Sequence, residues 1–228
     1  MTVTLYDLAG ADPARRFSPY CWRTRFSLAH KQLDVDARPW RFTDKETIAF
    51  SGQGLVPVIV DGGRTVSDSW EIARYLEATY PDRPSLFGGA VAPIRFIAAW
   101  TDRVVQPAIG RMIIADVLAV LDAKDQGYFR ESREKRFGAT LEAVQADRDQ
   151  RLPAFRQSLE PVRVVLAGSP FLGGETPTYA DYAVFGAFQW ARCTSPFRLL
   201  ADDDSIVGWQ RRLRALFDGL ADSGPAFD

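Results

Sequence analysis

The chain has 228 residues, with 28 Lys and Arg against 29 Asp and Glu, a formal net charge of -1, 46% hydrophobic and 25% charged residues. This composition fits a packed globular chain with room for one large domain or two modest ones and excludes the disordered, collagenous and coiled-coil classes. The near-neutral balance argues against nucleic acid as a partner, the single histidine excludes multi-histidine zinc sites, and no apolar run approaches the roughly 18 residues of a membrane span.

Elements follow in chain order. Val3 to Leu5 and their Thr and Tyr neighbours read as a first strand, with no secretory signal visible ahead of it. Ser18-Pro19 announces a helix, serine as N-cap and proline at the first position, and Trp22, Phe26 and Ala29 fall at helical spacing. Residues 35–40 predict a second strand, 43–50 a short helix or irregular turn, and 56–60 a third strand that Gly62-Gly63 closes into a hairpin with 64–66. Asp68 and Glu71 have capping-box spacing ahead of an amphipathic helix through Ile72, Tyr75, Leu76 and Tyr80. Pro81 to Pro84 stops it, and Ser85 to Pro93 reads as a connection. Beyond it the chain is helical. A long helix from Ile94 should kink at Pro107, and further helices are expected over 131–166, divided at Pro153 or Pro161, over 179–192 and over 203–220.

Pro57 is the informative anomaly, because a central strand cannot spare an N–H without compensation. Two arrangements answer it. A cis Val56–Pro57 bond at the strand's entrance would turn the Val56 N–H and C=O toward an extended peptide, whereas a trans proline would suit an edge strand. Ser18 likewise has two readings, a helix cap alone or a cap that also faces a ligand. Cys21 and Cys193 are too few for a disulfide scaffold, so a reduced cytoplasmic protein is the expectation. His30 reads as a surface or capping residue, and Asp202-Asp203-Asp204 as a solvated helix start, not a metal site.

With Pro57 in Leu-Val-Pro-Val-Ile and the acid–serine pair in Ser67-Asp68-Ser69-Trp70-Glu71-Ile72, residues 1–84 resemble the thioredoxin-like domain of glutathione transferases. After a linker over 85–93, residues 94–228 are similar to the family's all-α C-terminal domain, where Thr178 and Asp181 resemble its helix-capping staple. Ser18-Pro19-Tyr20-Cys21-Trp22-Arg23-Thr24 looks most like the serine-type branch of bacterial β-etherases and related fungal enzymes. The resemblance implies an α/β thioredoxin-like domain followed by an all-α domain, glutathione as co-substrate, a small apolar aromatic electrophile and a homodimer, with no nucleic-acid or membrane partner.

It also implies roles. Ser18 would face the glutathione thiol, Val56 ahead of Pro57 would pair with the cysteinyl backbone, and Asp68 and Ser69 would hold the γ-glutamyl end. Gln53, with Arg41 and Lys45 as alternatives, would take the glycyl carboxylate. The electrophile's pocket would lie between the domains, with Trp100, Arg103, Val104, Pro107 and Arg111 as contributors by helical spacing. Ser-Pro-Tyr-Cys is also similar to the Cys-Pro-Tyr-Cys of glutaredoxins with the first cysteine replaced. A thiol oxidoreductase using Cys21, or a glutathione-binding module without turnover, are therefore the alternatives to a transferase.

Overall fold

In the computed structural model, which describes residues 2–227, strand β1 (Val3–Leu8) is the buried centre of a four-stranded sheet. It pairs parallel with β2 (Val35–Trp40) and antiparallel with β3 (Val58–Asp61), and β3 pairs antiparallel with β4 (Arg64–Ser67), giving the order β2-β1-β3-β4. The third ladder starts at Val58 and not at Val56, since Pro57 has no N–H to donate. The Val56–Pro57 peptide is cis. Between β2 and β3 the chain makes a 3₁₀ turn over Lys45–Ser51.

Helix α1 (Pro19–His30) begins at Ser18, whose Oγ accepts the Cys21 N–H at 3.2 Å. Helix α2 (Ser69–Thr79) is capped by Asp68, whose Oδ1 accepts from the N–H groups of Trp70 and Glu71 at 2.9 and 3.1 Å. The reciprocal half of the expected capping box is not made: the Glu71 carboxylate lies against Arg74 at 3.5 Å.

The helical half opens with α3 (Val91–Trp100), three residues ahead of Ile94, and continues into α4 (Gln106–Ile113). Between them Thr101–Val105 forms a π turn in which the Gln106 N–H bonds to the Thr101 C=O, five residues back. Pro107 explains the widening. Its nitrogen cannot close a bond to the Arg103 carbonyl and its ring needs room there, so the expected kink is taken up as an extra residue in the turn. Then come α5 (Ala123–Phe137), α6 (Leu141–Gln145), α7 (Arg148–Ser158), α8 (Glu160–Leu166), α9 (Tyr179–Thr194) and α10 (Ser205–Arg214). Two breaks are absent from the sequence reading, one at Gly138, which ends α5 at a φ of 68°, and one between α6 and α7 at 146–147. Pro161 starts α8, whereas Pro153 is carried inside α7. The final expected helix stops at Arg214 and gives way to a 3₁₀ segment, Phe217–Asp222.

The staple at the head of α9 forms as a full capping box between Thr178 and Asp181. Buried Asp181 also accepts N–H groups of Leu172 at 2.7 Å and Gly173 at 3.0 Å and the Trp209 indole at 2.9 Å, tying α10 to α9. Asp204 caps α10 and pairs with Arg163 at 2.7 Å, so the last residue of the acidic run is a buried tie and not a solvated one.

Helices α1 and α9 join the two halves. His30 is not a surface residue: its Nδ1 and the Tyr182 hydroxyl share a hydrogen bond of 2.6 Å between the two helices. Near the other end of α1, a Cβ placed on Gly186 would stand 2.5 Å from the Pro19 carbonyl oxygen, so only glycine lets the helices approach this closely. Replacing Gly186 with alanine forces the joint apart and should destabilise the fold by about 1–3 kcal/mol, the usual cost of overpacking. For a chain of this size that lowers the melting temperature by roughly 2–10 °C. A calorimetric melt checks it, and an unchanged melting temperature would show that the joint yields freely.

Candidate active site

Ser18 and Val56 line the same cavity, about 470 Å³ in volume, between the sheet domain and the helical one. Ser18 is only 4% exposed, so its hydroxyl can address little besides its own helix and this cavity. Capping uses a lone pair of Oγ, and the O–H, which also lies within hydrogen-bond reach of the buried Cys21 thiol, remains a donor. Val56 is half-buried, lies just outside the β3 ladder, and makes no backbone hydrogen bond among the described residues. The cavity therefore has, on its sheet side, a hydroxyl at a helix N-terminus and an unpaired stretch of extended backbone.

The helical wall is built by Asp102, Gln106, Gly110 and Ile114, each four residues from the next, together with Pro107. Of the contributors expected from regular spacing only Pro107 is present; Trp100, Arg103, Val104 and Arg111 face elsewhere. Spacing groups residues onto faces but does not say which face the sheet domain covers, and here the covered face begins at Asp102 in the π turn. Gly110 lets the helix come close to the Trp190 ring at the cavity's edge, since a Cβ there would stand 3.2 Å from it and the ring would have to shift by a few tenths of an ångström. Phe17, Phe42, Phe129 and Phe137 complete an aromatic surround, with Phe42 and Phe129 centroids 5.6 Å apart. The sequence held no local signal for these rings, which come from three distant segments, Phe129 and Phe137 sharing α5.

Charge is unevenly distributed around the cavity. Asp102 pairs at 2.7 Å with Arg23, a buried cation on α1 that also donates to Gln106 Oε1 at 3.3 Å and lies over the Tyr20 ring. Burial, and then the Asp102 charge, lift the Tyr20 phenol above its ordinary value, so this second hydroxyl on the cavity wall stays protonated at neutral pH. Arg133 and Arg136 line the opposite, aromatic end.

The remaining expected residues are placed around the cavity and not on its wall. Asp68 is exposed at the head of α2, near enough to Tyr20 to act on it electrostatically, and Ser69 is buried beside the Tyr179 phenol. Pro57 is buried behind Val56, and Gln53 sits half-buried on the loop before it. Arg41 is committed elsewhere, donating to the carbonyls of Gly10 and Ala11 at 3.1 and 3.0 Å, while the Lys45 ammonium lies over the Tyr128 ring. Among the described residues no cluster of three or more His, Cys, Asp or Glu could hold a metal, and no helix is long and apolar enough to cross a membrane.

Comparison with known proteins gives these features a context. Residues 92–205 match the model of the glutathione S-transferase C-terminal domain, and residues 17–79 match that of the N-terminal domain. A probable glutathione S-transferase of Oryza sativa subsp. japonica, GSTU6, is 28% identical over 216 residues, covering 87% of this chain and 81% of its own. Among solved structures, glutathione transferase GSTFuA3 of Phanerochaete chrysosporium superposes with a TM-score of 0.77 at 25% identity, over 96% of this chain and 92% of that one. CsGST63524 of Ceriporiopsis subvermispora, solved in complex with glutathione, superposes with a TM-score of 0.79 at 24% identity over 98% of both chains.

The two thiols stand apart from the cavity's chemistry. Cys21 is fully buried in the first turn of α1 and Cys193 is buried near the end of α9. Burial, and next the Asp7 carboxylate, push the Cys21 thiol well above its ordinary value, and burial lifts Cys193 to about 12. The helix N-terminus fails to acidify Cys21 because full burial outweighs the hydrogen bonds from Ser18 and the Leu8 backbone that favour its charged form. Iodoacetamide should therefore label neither cysteine in the native protein between pH 7 and 9, at rates more than about 100-fold below those of the unfolded chain, where thiols titrate near 8.5. Mass spectrometry of the quenched protein reads the outcome, and rapid native labelling of Cys21 would reinstate the oxidoreductase alternative.

Proposed function

The chain belongs to the glutathione S-transferase family, and on that premise we propose that it is a glutathione transferase whose Ser18 hydroxyl stabilises the thiolate of bound glutathione for attack on an aromatic electrophile. The observation that carries this reading is the presence of Ser18 and Val56 on one cavity with an aromatic far wall. Val56 offers its free N–H and C=O to the cysteinyl backbone, as an added strand would. Asp68 takes the γ-glutamyl ammonium, Ser69 and the α2 N-terminus its carboxylate, and Gln53 or Lys45 the glycyl end. Residues 1–84 serve as the glutathione-binding domain, joined through 85–93 to the helical domain at 94–228, in a cytoplasmic homodimer.

The energetics are adequate. A free thiol with a pKa near 8.5 is a few per cent thiolate at neutral pH, and lowering it by about 2 units takes about 2.7 kcal/mol. A hydrogen bond to a charged group supplies about 1.5–3 kcal/mol, and a helix N-terminus about 0.3–1 kcal/mol more. No protein base is needed, since the thiol proton leaves to solvent on binding. The thiolate sulfur then forms a bond to carbon as the bond to the leaving group breaks, the electron pair departing with it. In the etherase variant that group is a phenoxide, which fits the similarity of residues 18–24 to the serine-type branch. The buried Cys21 weighs against disulfide exchange.

The test is a pH titration of the thiolate absorbance of bound glutathione. Wild type should show a thiol pKa about 1–2 units below the free value, and Ser18→Ala should return it most of the way. The same substitution should lower kcat/KM about 10- to 100-fold near pH 6.5, a loss that shrinks as rising pH ionises the thiol unaided. Tyr20→Phe, which removes the other wall hydroxyl, should leave the thiol pKa in place. Glutathione bound without acidification in any form would instead indicate a non-catalytic module.

A further inference from the structure

Arg133 is a cation without a counter-ion, held among rings. Its guanidinium stands 4.8 Å from the Phe129 centroid and 5.4 Å from that of Phe42, and its only hydrogen bond among the described residues is a donation to Ser132 Oγ at 2.9 Å. The groups whose charges act on it are Arg136 and the Tyr128 phenol, neither of them a carboxylate. Burial, reinforced by Arg136, holds it down to about 10, still cationic at neutral pH. Asp102 is the sole acid on the cavity wall, and Arg23 on α1 neutralises it at 2.7 Å. The aromatic end thus carries two positive charges, half-buried Arg133 and exposed Arg136, with no ion pair among the described residues.

A half-buried guanidinium packed among rings is partly desolvated and gains from a partner, and elsewhere this chain pairs its buried Arg23 with Asp102 and its half-buried Arg16 and Arg25 with Asp7. At Arg133 the missing partner faces the cavity. From this we infer that the electrophile is an aromatic acid, its ring between the phenylalanines and its carboxylate or an equivalent anion on Arg133 and Arg136. The planar fork of Arg133 suits a bidentate carboxylate, and its stacking on Phe42 and Phe129 fixes its orientation before the substrate arrives. Fixing the acid end of the ring at this wall leaves the other end free to point toward Ser18. The inference rests on the transferase reading above and names the substrate class of that same site.

Two electrophiles of matched shape test it: 4-chloro-3-nitrobenzoate and its methyl ester. Each loses chloride as the glutathione thiolate forms the carbon–sulfur bond, and each rate is divided by that of the uncatalysed reaction to remove the difference in intrinsic reactivity. Wild type should favour the acid about 10- to 100-fold in this ratio, the size of a charge-assisted pair. Arg133→Gln should erase the preference by raising KM for the acid, while the ester's ratio and the KM for glutathione stay within about 2-fold. Arg133→Lys should restore part of it. Arg136→Gln, at an exposed position that folding does not need, should cut the preference independently if Arg133→Gln proves unstable. Equal or better use of the ester by wild type overturns the inference and leaves the transferase reading intact. A loss in Arg133→Gln that falls on glutathione KM overturns it as well, assigning the cation to the glycyl carboxylate. Glutathione binding with turnover of neither arene removes the transferase reading and the inference with it.

Discussion

The contact between Gly186 of α9 and the carbonyl of Pro19, with no side chain between them, sets where the N-terminus of α1 stands against the helical domain. Much of the site depends on that approach. Ser18 immediately precedes Pro19, so its hydroxyl is delivered to the interdomain cavity by the same joint. One turn along α1, Arg23 reaches across to Asp102 in the π turn, and at the far end His30 meets Tyr182. Helix α1 is consequently buried on nearly every side, which accounts for the unusual company of Arg23, Thr24 and Ser27 among its buried residues. Breaking a buried ion pair such as Arg23–Asp102 by removing one partner costs about 3–5 kcal/mol, because the survivor keeps its desolvation without its compensation. The joint and the ion pair therefore act together to hold the two walls of the cavity at a fixed spacing.

Within that frame the chemistry divides cleanly. The sheet side offers Ser18 and the Val56 backbone beside Phe17 and Phe42, while the helical side adds Asp102 and Gln106 at one end and rings and cations at the other. The nearby phenol and thiol are held in their protonated forms, Tyr20 by burial and the neighbouring Asp102, Cys21 by burial and Asp7. A nucleophile brought into such a site meets no competing protein thiolate. The organisation suits a division of labour in which the protein supplies orientation and electrostatics and a bound thiol supplies the reactivity.

The strands, the Ser18 cap, the Thr178–Asp181 box and the division into an α/β and an all-α part were legible because each depends on residues a few positions apart. Pro57 could be singled out for its missing N–H, but which peptide isomer it adopts was not written locally. The helical wall went astray for a specific reason: helical spacing groups residues onto faces but does not say which face meets the other domain, and the structure covers the face of Asp102, Gln106 and Gly110, not that of Arg103 and Arg111. The capping of α2 likewise proved one-sided, since Glu71 found Arg74 instead of the Asp68 N–H.

What this sequence determined by itself is its local grammar and, through three motifs in register, its family; those signals travel along the backbone and need no partner. Only the tertiary structure decided that Arg133 would be a half-buried cation among Phe42 and Phe129, that His30 would bridge to Tyr182, and that Asp68 would stand beside the cavity and not on its wall. Burial and charge pairing are properties of surfaces brought together from distant segments. A side chain's chemistry at such a surface is set by neighbours that sequence order does not name.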